Sequence, residues 1–306
     1  MQISTNYLFD RASAQMGTLQ NDLAKSQAQI ASHKQVLNPS DAPDQAAAIA
    51  RLKSIIGRQD SYGQALDSVQ ARLQSEDTTL KSASDVLVRI KELGIQANND
   101  TLSTSDRRAM GTELRSLRDQ LLSLANSRDV NGNFIFSGSR VSQAAFATGS
   151  TGEVIYQGDQ TQMNVVVGEQ RSVAMNRPGT NAFVRVVRSE GGADTGISFF
   201  QSLDDMIDAV NSSNRTGMQR SLGETDSLLQ GVLLAQASVG TSLKALEQQG
   251  NVLQDTTLTL KSALSNLEDL DYAYAITQMN KQMLSLEAAQ SSFAKISQLS
   301  LFSYLR

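Results

Sequence analysis

Two arrays of residues spaced by seven, one in each half of the chain, constrain this sequence more than any other feature. In the first, Leu52, Gln59, Leu66, Leu73, Leu80 and Leu87 form one row, and Ile55, Tyr62, Val69, Glu76, Ala83 and Ile90 form a second. In the second array, Leu222, Leu229, Gln236, Leu243, Gly250, Thr257 and Leu264 run beside Thr225, Val232, Val239, Leu246, Leu253, Leu260 and Leu267. Two such rows place their apolar side chains along one narrow seam of a helix. A helix over residues 44–97 extends on the order of 80 Å at about 1.5 Å per residue. A helix of that length must lie against partner helices.

Shorter patterns fill the space around the arrays. Met16, Leu23, Ile30 and Leu37 are seven apart, with Leu19 between the first two, and predict a helix over roughly 8–36. Ser26 and His33 weaken its second row. Asn38-Pro39-Ser40-Asp41-Ala42-Pro43 breaks the helix, because proline lacks an amide hydrogen and pushes the preceding residue out of helical geometry. Thr104 or Ser105 is a candidate cap for a third helix carrying Met110, Leu114, Leu117, Leu121 and Leu124. Asn131-Gly132 reads as a turn, with Phe134-Ile135-Phe136 a short β-like run after it. Over 138–198 the heptads vanish, and 154–156, 163–167 and 183–187 read as strands. Helix resumes at Phe199. Glu268-Asp269-Leu270-Asp271 interrupts the second array, and a new phase starts with Met279, Met283, Leu286 and Phe293.

The expected fold is therefore mainly α with a β insert. Both chain ends build a long antiparallel coiled coil and helix bundle, and the middle forms a small outer β-rich domain. The last eight residues, Leu-Ser-Leu-Phe-Ser-Tyr-Leu-Arg, are unusually apolar for a terminus. The two terminal segments each offer one apolar stripe, and two lone helices side by side are marginal in water. Ile3, Leu8, Met16, Leu19, Leu23, Ile30, Leu37, Met279, Met283, Leu286, Phe293, Ile296, Leu299, Leu301, Phe302 and Leu305 are the expected assembly interface, ordered when copies or related chains surround them.

Little in the sequence points to catalysis. Cysteine is absent and His33 is the only histidine, with no metal-ligating partner at i±3 or i±4. Asp129-Val130-Asn131-Gly132-Asn133 has its glycine in the wrong place for a calcium loop and reads as a turn. Asp204-Asp205 reads as helix-start charge, and Glu268-Asp269-Asp271 as polarity at a domain junction. No phosphate loop, dinucleotide fingerprint or HExxH motif occurs, so no cofactor and no enzyme activity are expected. The net charge of −4 without a basic block gives nucleic-acid binding little support. No run of apolar residues is long enough to span a membrane, and the N-terminus does not read as a Sec signal peptide.

An ordered set of short motifs adds a resemblance. It comprises Met1-Gln2-Ile3-Ser4-Thr5, the 38–43 connector, Glu92-Leu93-Gly94-Ile95-Gln96-Ala97-Asn98, Asp106-Arg107 with Glu113, and Leu124-Ala125-Asn126. It continues with Phe134-Ile135-Phe136-Ser137-Gly138, Tyr156-Gln157-Gly158-Asp159, Ser265 with Leu267-Glu268-Asp269 and Asp271, and Leu299-Ser300-Leu301-Phe302. The set resembles the flagellin superfamily of bacterial flagellar axial proteins over roughly 1–160 and 220–306. Ser32-His33-Lys34 and Leu270 depart from the family's usual residues. The resemblance implies a structural subunit of the extracellular flagellum at the hook–filament junction, exported unfolded by the flagellar apparatus. A short flagellin forming the filament itself is the alternative. The implied partners are hook-associated protein 1, flagellin, further copies of the chain in a ring, and an export chaperone on the C-terminal segment. The implied domains are an inner coiled coil of 1–42 with 268–306, a helical bundle of 43–137 with 199–267, and an outer insert of 138–198.

Overall fold

A computed structural model describes residues 2–150, 152–190 and 193–304. The elements run α1 (Gln2–Ser32), α2 (Pro43–Ala97), α3 (Thr104–Ala125), β1 (Phe146–Thr148), β2 (Val154–Tyr156), β3 (Asn164–Gly168) and β4 (Arg171–Ala174). They continue with α4 (Gly179–Ala182), β5 (Val186–Glu190), β6 (Ala193–Ile197), α5 (Phe199–Asn211), α6 (Arg215–Glu268) and α7 (Tyr272–Tyr304). Both heptad arrays are single long helices, and the fold is mainly α with small antiparallel strand pairs. Two compact units divide the chain, one of residues 1–58 with 255–306 and one of 59–254.

In the second unit α2 and α6 run antiparallel. Lys91 Nζ lies 2.5 Å from Asp226 Oδ1, and the Leu222 side chain covers Gly94. The first array is buried at Gln59, Leu66, Leu73, Leu80 and Leu87 and at Val69, Glu76, Ala83 and Ile90, as the spacing requires. Thr225, Val232, Val239, Leu246 and Leu253 face them from α6. Ser103, rather than Thr104 or Ser105, caps α3, because its hydroxyl and the Asp106 carboxylate satisfy each other's backbone amides in a capping box. Arg107 is buried and donates to the Ala97 and Asn99 carbonyls, both at 2.9 Å, closing the C-terminal end of α2.

Among the described residues the insert forms three separate two-stranded hairpins, β1–β2, β3–β4 and β5–β6. Strand reading over 183–187 is displaced, with β5 at 186–190, because Phe183 closes the short α4 and enters an aromatic cluster. Phe183 meets Phe136, Phe146 and Phe199 edge-on with centroids 5.1–5.5 Å apart. Phe134-Ile135-Phe136 is not a strand. A single bridge joins Arg128 to Phe134, and Gly132 at φ 81° makes the turn between them.

Asp204 and Asp205 lie beyond the first turn of α5, which Ser198 caps. They are ion-pair partners, Asp204 of Arg118 at 2.9 Å and Asp205 of Arg188 at 2.6 Å, and not helix-start charges. The family-like segment at Tyr156–Asp159 is a hydrogen-bonded corner. The Tyr156 hydroxyl donates to the Asp159 carbonyl at 2.7 Å, and Asp159 Oδ1 accepts from Ser139 N and Thr161 N, both at 2.9 Å.

Candidate assembly interface

The first unit is built on α1 and α7. Phe9 lies edge-on to Phe293 at 5.1 Å, Ser26 Oγ donates to Gln282 Oε1 at 2.8 Å, and the His33 ring is 5.6 Å from Tyr272. Residue numbers rise along one helix as they fall along the other, so the pair is antiparallel. The weak row of the first heptad pattern is the one that meets α7: Ser26 is buried at the contact, and His33 ends the helix. α1 stops at Ser32 because His33 takes φ 63°, a left-handed conformation more usual for glycine at a helix C-terminus.

The segment after His33 is tied to the junction of α6 and α7. Gln35 N–H donates to Glu268 O at 2.8 Å and Leu270 N–H to His33 O at 3.2 Å. Glu268 accepts Lys53 Nζ at 2.8 Å and Lys34 Nζ at 2.9 Å, and these bonds hold its carboxyl below the usual carboxylate range. Asp41 sits 3.0 Å from Lys25, whose hydrogen bond likewise lowers its carboxyl. Asp271 accepts Tyr274 N–H at 3.0 Å at the start of α7. The acidic motif is therefore a set of clasps and caps on ordinary backbone and lysine partners. Among the described residues no group of three His, Cys, Asp or Glu is placed to hold a metal ion.

What these helices leave uncovered is more informative than what they cover. Met16, Leu19, Leu23 and Ile30 on α1, and Met279, Leu286 and Phe293 on α7, are only half-buried. Leu37 is half-buried too, but beyond the end of α1 in the connector. Met283 is 47% exposed. The side chains of Ile3, Leu8, Ile296, Leu299, Leu301 and Phe302 lie outside the described set, and Leu305 lies outside the described residues.

The seven-residue reading missed Tyr7, Tyr272, Tyr274, Ile276 and Leu284, all exposed. Ile276 and Met283, seven residues apart and both exposed, form a second stripe beside the α1-facing row of Tyr272, Met279, Leu286 and Phe293, a spacing that was readable in the sequence. An apolar surface wider than one partner helix can cover needs further neighbours. Burial at about 25 cal/mol per Å² must exceed roughly 1–2 kcal/mol per ordered residue, and half-covered side chains contribute only part of that.

Apolar side chains along α1 and α7 are only partly covered, and the comparisons place the chain in a family. The bacterial flagellin N-terminal helical region matches residues 3–141, and the bacterial flagellin C-terminal helical region matches residues 222–305. The chain belongs to the flagellin family of bacterial flagellar proteins. The chain is similar to flagellar hook-associated protein 3 of Salmonella typhimurium, at 28% identity over 99% of this chain and 99% of the relative. The crystal structure of flagellar hook-associated protein 3 from Legionella pneumophila has a TM-score of 0.66 at 21% identity, covering 72% of this chain and 98% of that one. The structure of FlgL from Xanthomonas campestris has a TM-score of 0.62 at 25% identity, covering 71% and 99% respectively. No described helix is long and apolar enough to cross a membrane.

Proposed function

We propose that this chain is an adaptor of the flagellar hook–filament junction, joining hook-associated protein 1 to the flagellin filament as a ring of identical subunits. The observation that carries the reading is the match to hook-associated protein 3 along 99% of both chains, end to end. The half-covered α1–α7 pair supports it physically. Unfinished helical seams at both ends suit a subunit completed by neighbours above, below and beside it. In this reading residues 1–42 with 268–306 form the inner coiled coil, 43–137 with 199–267 the surrounding bundle, and 138–198 the outward-facing insert. The chain travels to the flagellum unfolded through the flagellar export apparatus, with a chaperone on its apolar C-terminal segment.

A second reading, a short flagellin, has one observation in its favour. The flagellin of Listeria monocytogenes also aligns over 97% of this chain, at 20% identity. Deleting the gene separates the two. A junction adaptor gives cells with hooks, no filaments and flagellin monomers in the medium. Normal filaments on the mutant would refute both readings. Long filaments assembled by the purified chain alone would favour flagellin.

A further inference from the structure

The β1–β2 hairpin has two edges, and one of them is closed at Phe146 by a side-chain amide. Gln157 N–H donates to Ala145 O at 2.8 Å and Gly149 N–H to Glu153 O at 2.7 Å, which fixes the parity of the ladder. With Phe146 opposite Tyr156, Ala147 opposite Ile155 and Thr148 opposite Val154, the middle pair exchanges hydrogen bonds. The main-chain groups of Phe146 and Thr148 therefore point out of the β1 edge, and those of Val154 and Tyr156 out of the β2 edge. The Asn126 amide covers the β1 edge at Phe146: its Oδ1 accepts Phe146 N–H at 2.9 Å and its Nδ2 donates to Phe146 O at 2.8 Å. On the β2 edge no described group bonds the main chain of Val154 or Tyr156.

A groove of about 580 Å³ opens along that bare edge. Phe146, Phe183 and Phe199 contribute an apolar floor, and the segment from Gly196 to Gln201 forms part of its lining. Thr180 Oγ1, buried and without a hydrogen-bond partner, also lines it. Arg185 at the rim is exposed, donates to Gly196 O at 2.9 Å and has no carboxylate partner among the described residues. β2 is a short edge strand of three residues, and Val154-Ile155-Tyr156 carries no lysine, proline or bulge.

We infer that this groove takes one extended peptide strand of a partner protein, hydrogen-bonded along β2, with an apolar side chain on the phenylalanine floor and an acidic side chain against Arg185. A helix or a small molecule would leave the β2 main chain unpaired. An extended strand satisfies it while placing alternate side chains toward the floor. The acidic side chain belongs opposite the Arg185 guanidinium, and Glu153, which also lines the groove, disfavours a second one. The site belongs to the insert and stands apart from the terminal-helix interface.

The test titrates the full chain into a fluorescein-labelled octapeptide of alternating valine and threonine with one phenylalanine and one aspartate. Saturable anisotropy is expected. Two further peptides, N-methylated on one or the other set of alternate residues, distinguish strand pairing from adsorption without altering the protein. The set facing β2 should lose about tenfold in affinity or more, and the other set should bind as before. Arg185→Gln should weaken the aspartate peptide and leave its asparagine analogue unchanged. Absence of saturable binding, or equal binding of both methylated peptides, would overturn the inference. Dimerisation of the chain that the peptide competes would also overturn it, by making a second copy the occupant.

Discussion

Glu76 occupies a seam position of the first heptad row, where an apolar residue belongs, and it is fully buried. Its ion-pair partner is Arg177 at 3.0 Å, supplied by the β insert more than a hundred residues later. Burial pushes its carboxyl up to about 7, against the opposing pull of Arg177 and Arg72. The folded value lies above the ordinary 4.5, so the group's contribution to stability is full below 4.5 and is lost as pH rises toward 7. At roughly 1.4 kcal/mol per unit of difference, that loss is on the order of 3 kcal/mol. Urea unfolding across this window should show the decline in the parent chain and a flattened profile in Glu76→Gln. Equal slopes would refute the assignment. Asp159 has the opposite sign. Hydrogen bonds from Ser139, side chain and backbone, and from the Thr161 backbone hold its carboxyl well below the ordinary 3.8. Its contribution is present above 3.8 and lost as pH falls below it, so Asp159→Ala should lessen the acid sensitivity of the insert while lowering its stability near neutrality. Circular dichroism during acid titration reads both effects.

Among whole elements, the long helices were legible because a seven-residue repeat states both the element and the face it buries. Leu66, Leu73, Leu80 and Leu87 are buried where the spacing put them. The insert was less legible, since β1, β4 and β6 carry no clear alternation or apolar run, and the hairpins are fixed by side chains far away in sequence. Asn126 capping Phe146 and Arg188 reaching Glu224 at 2.7 Å are such ties. The terminal seam was readable in outline, but its polar row, Ser26 on Gln282, was the contact itself and not a weakness. Helix ends follow the same logic. The sequence at Asn98-Asn99-Asp100 marks where α2 stops, yet the closing group is Arg107 from the next helix. Its guanidinium answers orphaned carbonyls at the negative end of α2. Arg107→Ala should cost about 2–4 kcal/mol, since two charged hydrogen bonds are lost at a buried position. Thermal unfolding should fall accordingly, and amide exchange should quicken around residues 94–100. Unchanged exchange there would show that the arginine is not the cap.

Across the whole molecule, the two units differ in how completely they are buried. In the unit of residues 59–254, seam residues such as Val69, Leu80, Leu87, Leu228, Val232 and Leu246 are fully enclosed. In the unit of 1–58 with 255–306, Ser26 and Ala275 are the buried residues among those described, and one of them is polar. Local opening is governed by just this density of enclosed apolar contact. Amide exchange on the isolated chain should therefore be slow through residues 66–93 and 228–246 and fast through both terminal helices. Protection at the ends equal to that of the centre would mean that the seam is already complete in one molecule, and the interface reading would fail. Removing residues 296–306 extends the same argument. The helical signal of the second unit should survive the deletion, because none of its enclosed residues lies in that segment. Incorporation into flagella should be abolished, because the deletion takes Ile296, Leu299, Leu301, Phe302 and Leu305 from the proposed assembly interface. Circular dichroism on the purified variant and electron microscopy of cells producing it decide the two halves separately. A collapse of all helicity would assign the tail to the folded core of the monomer, and normal filaments would show that assembly does not use it.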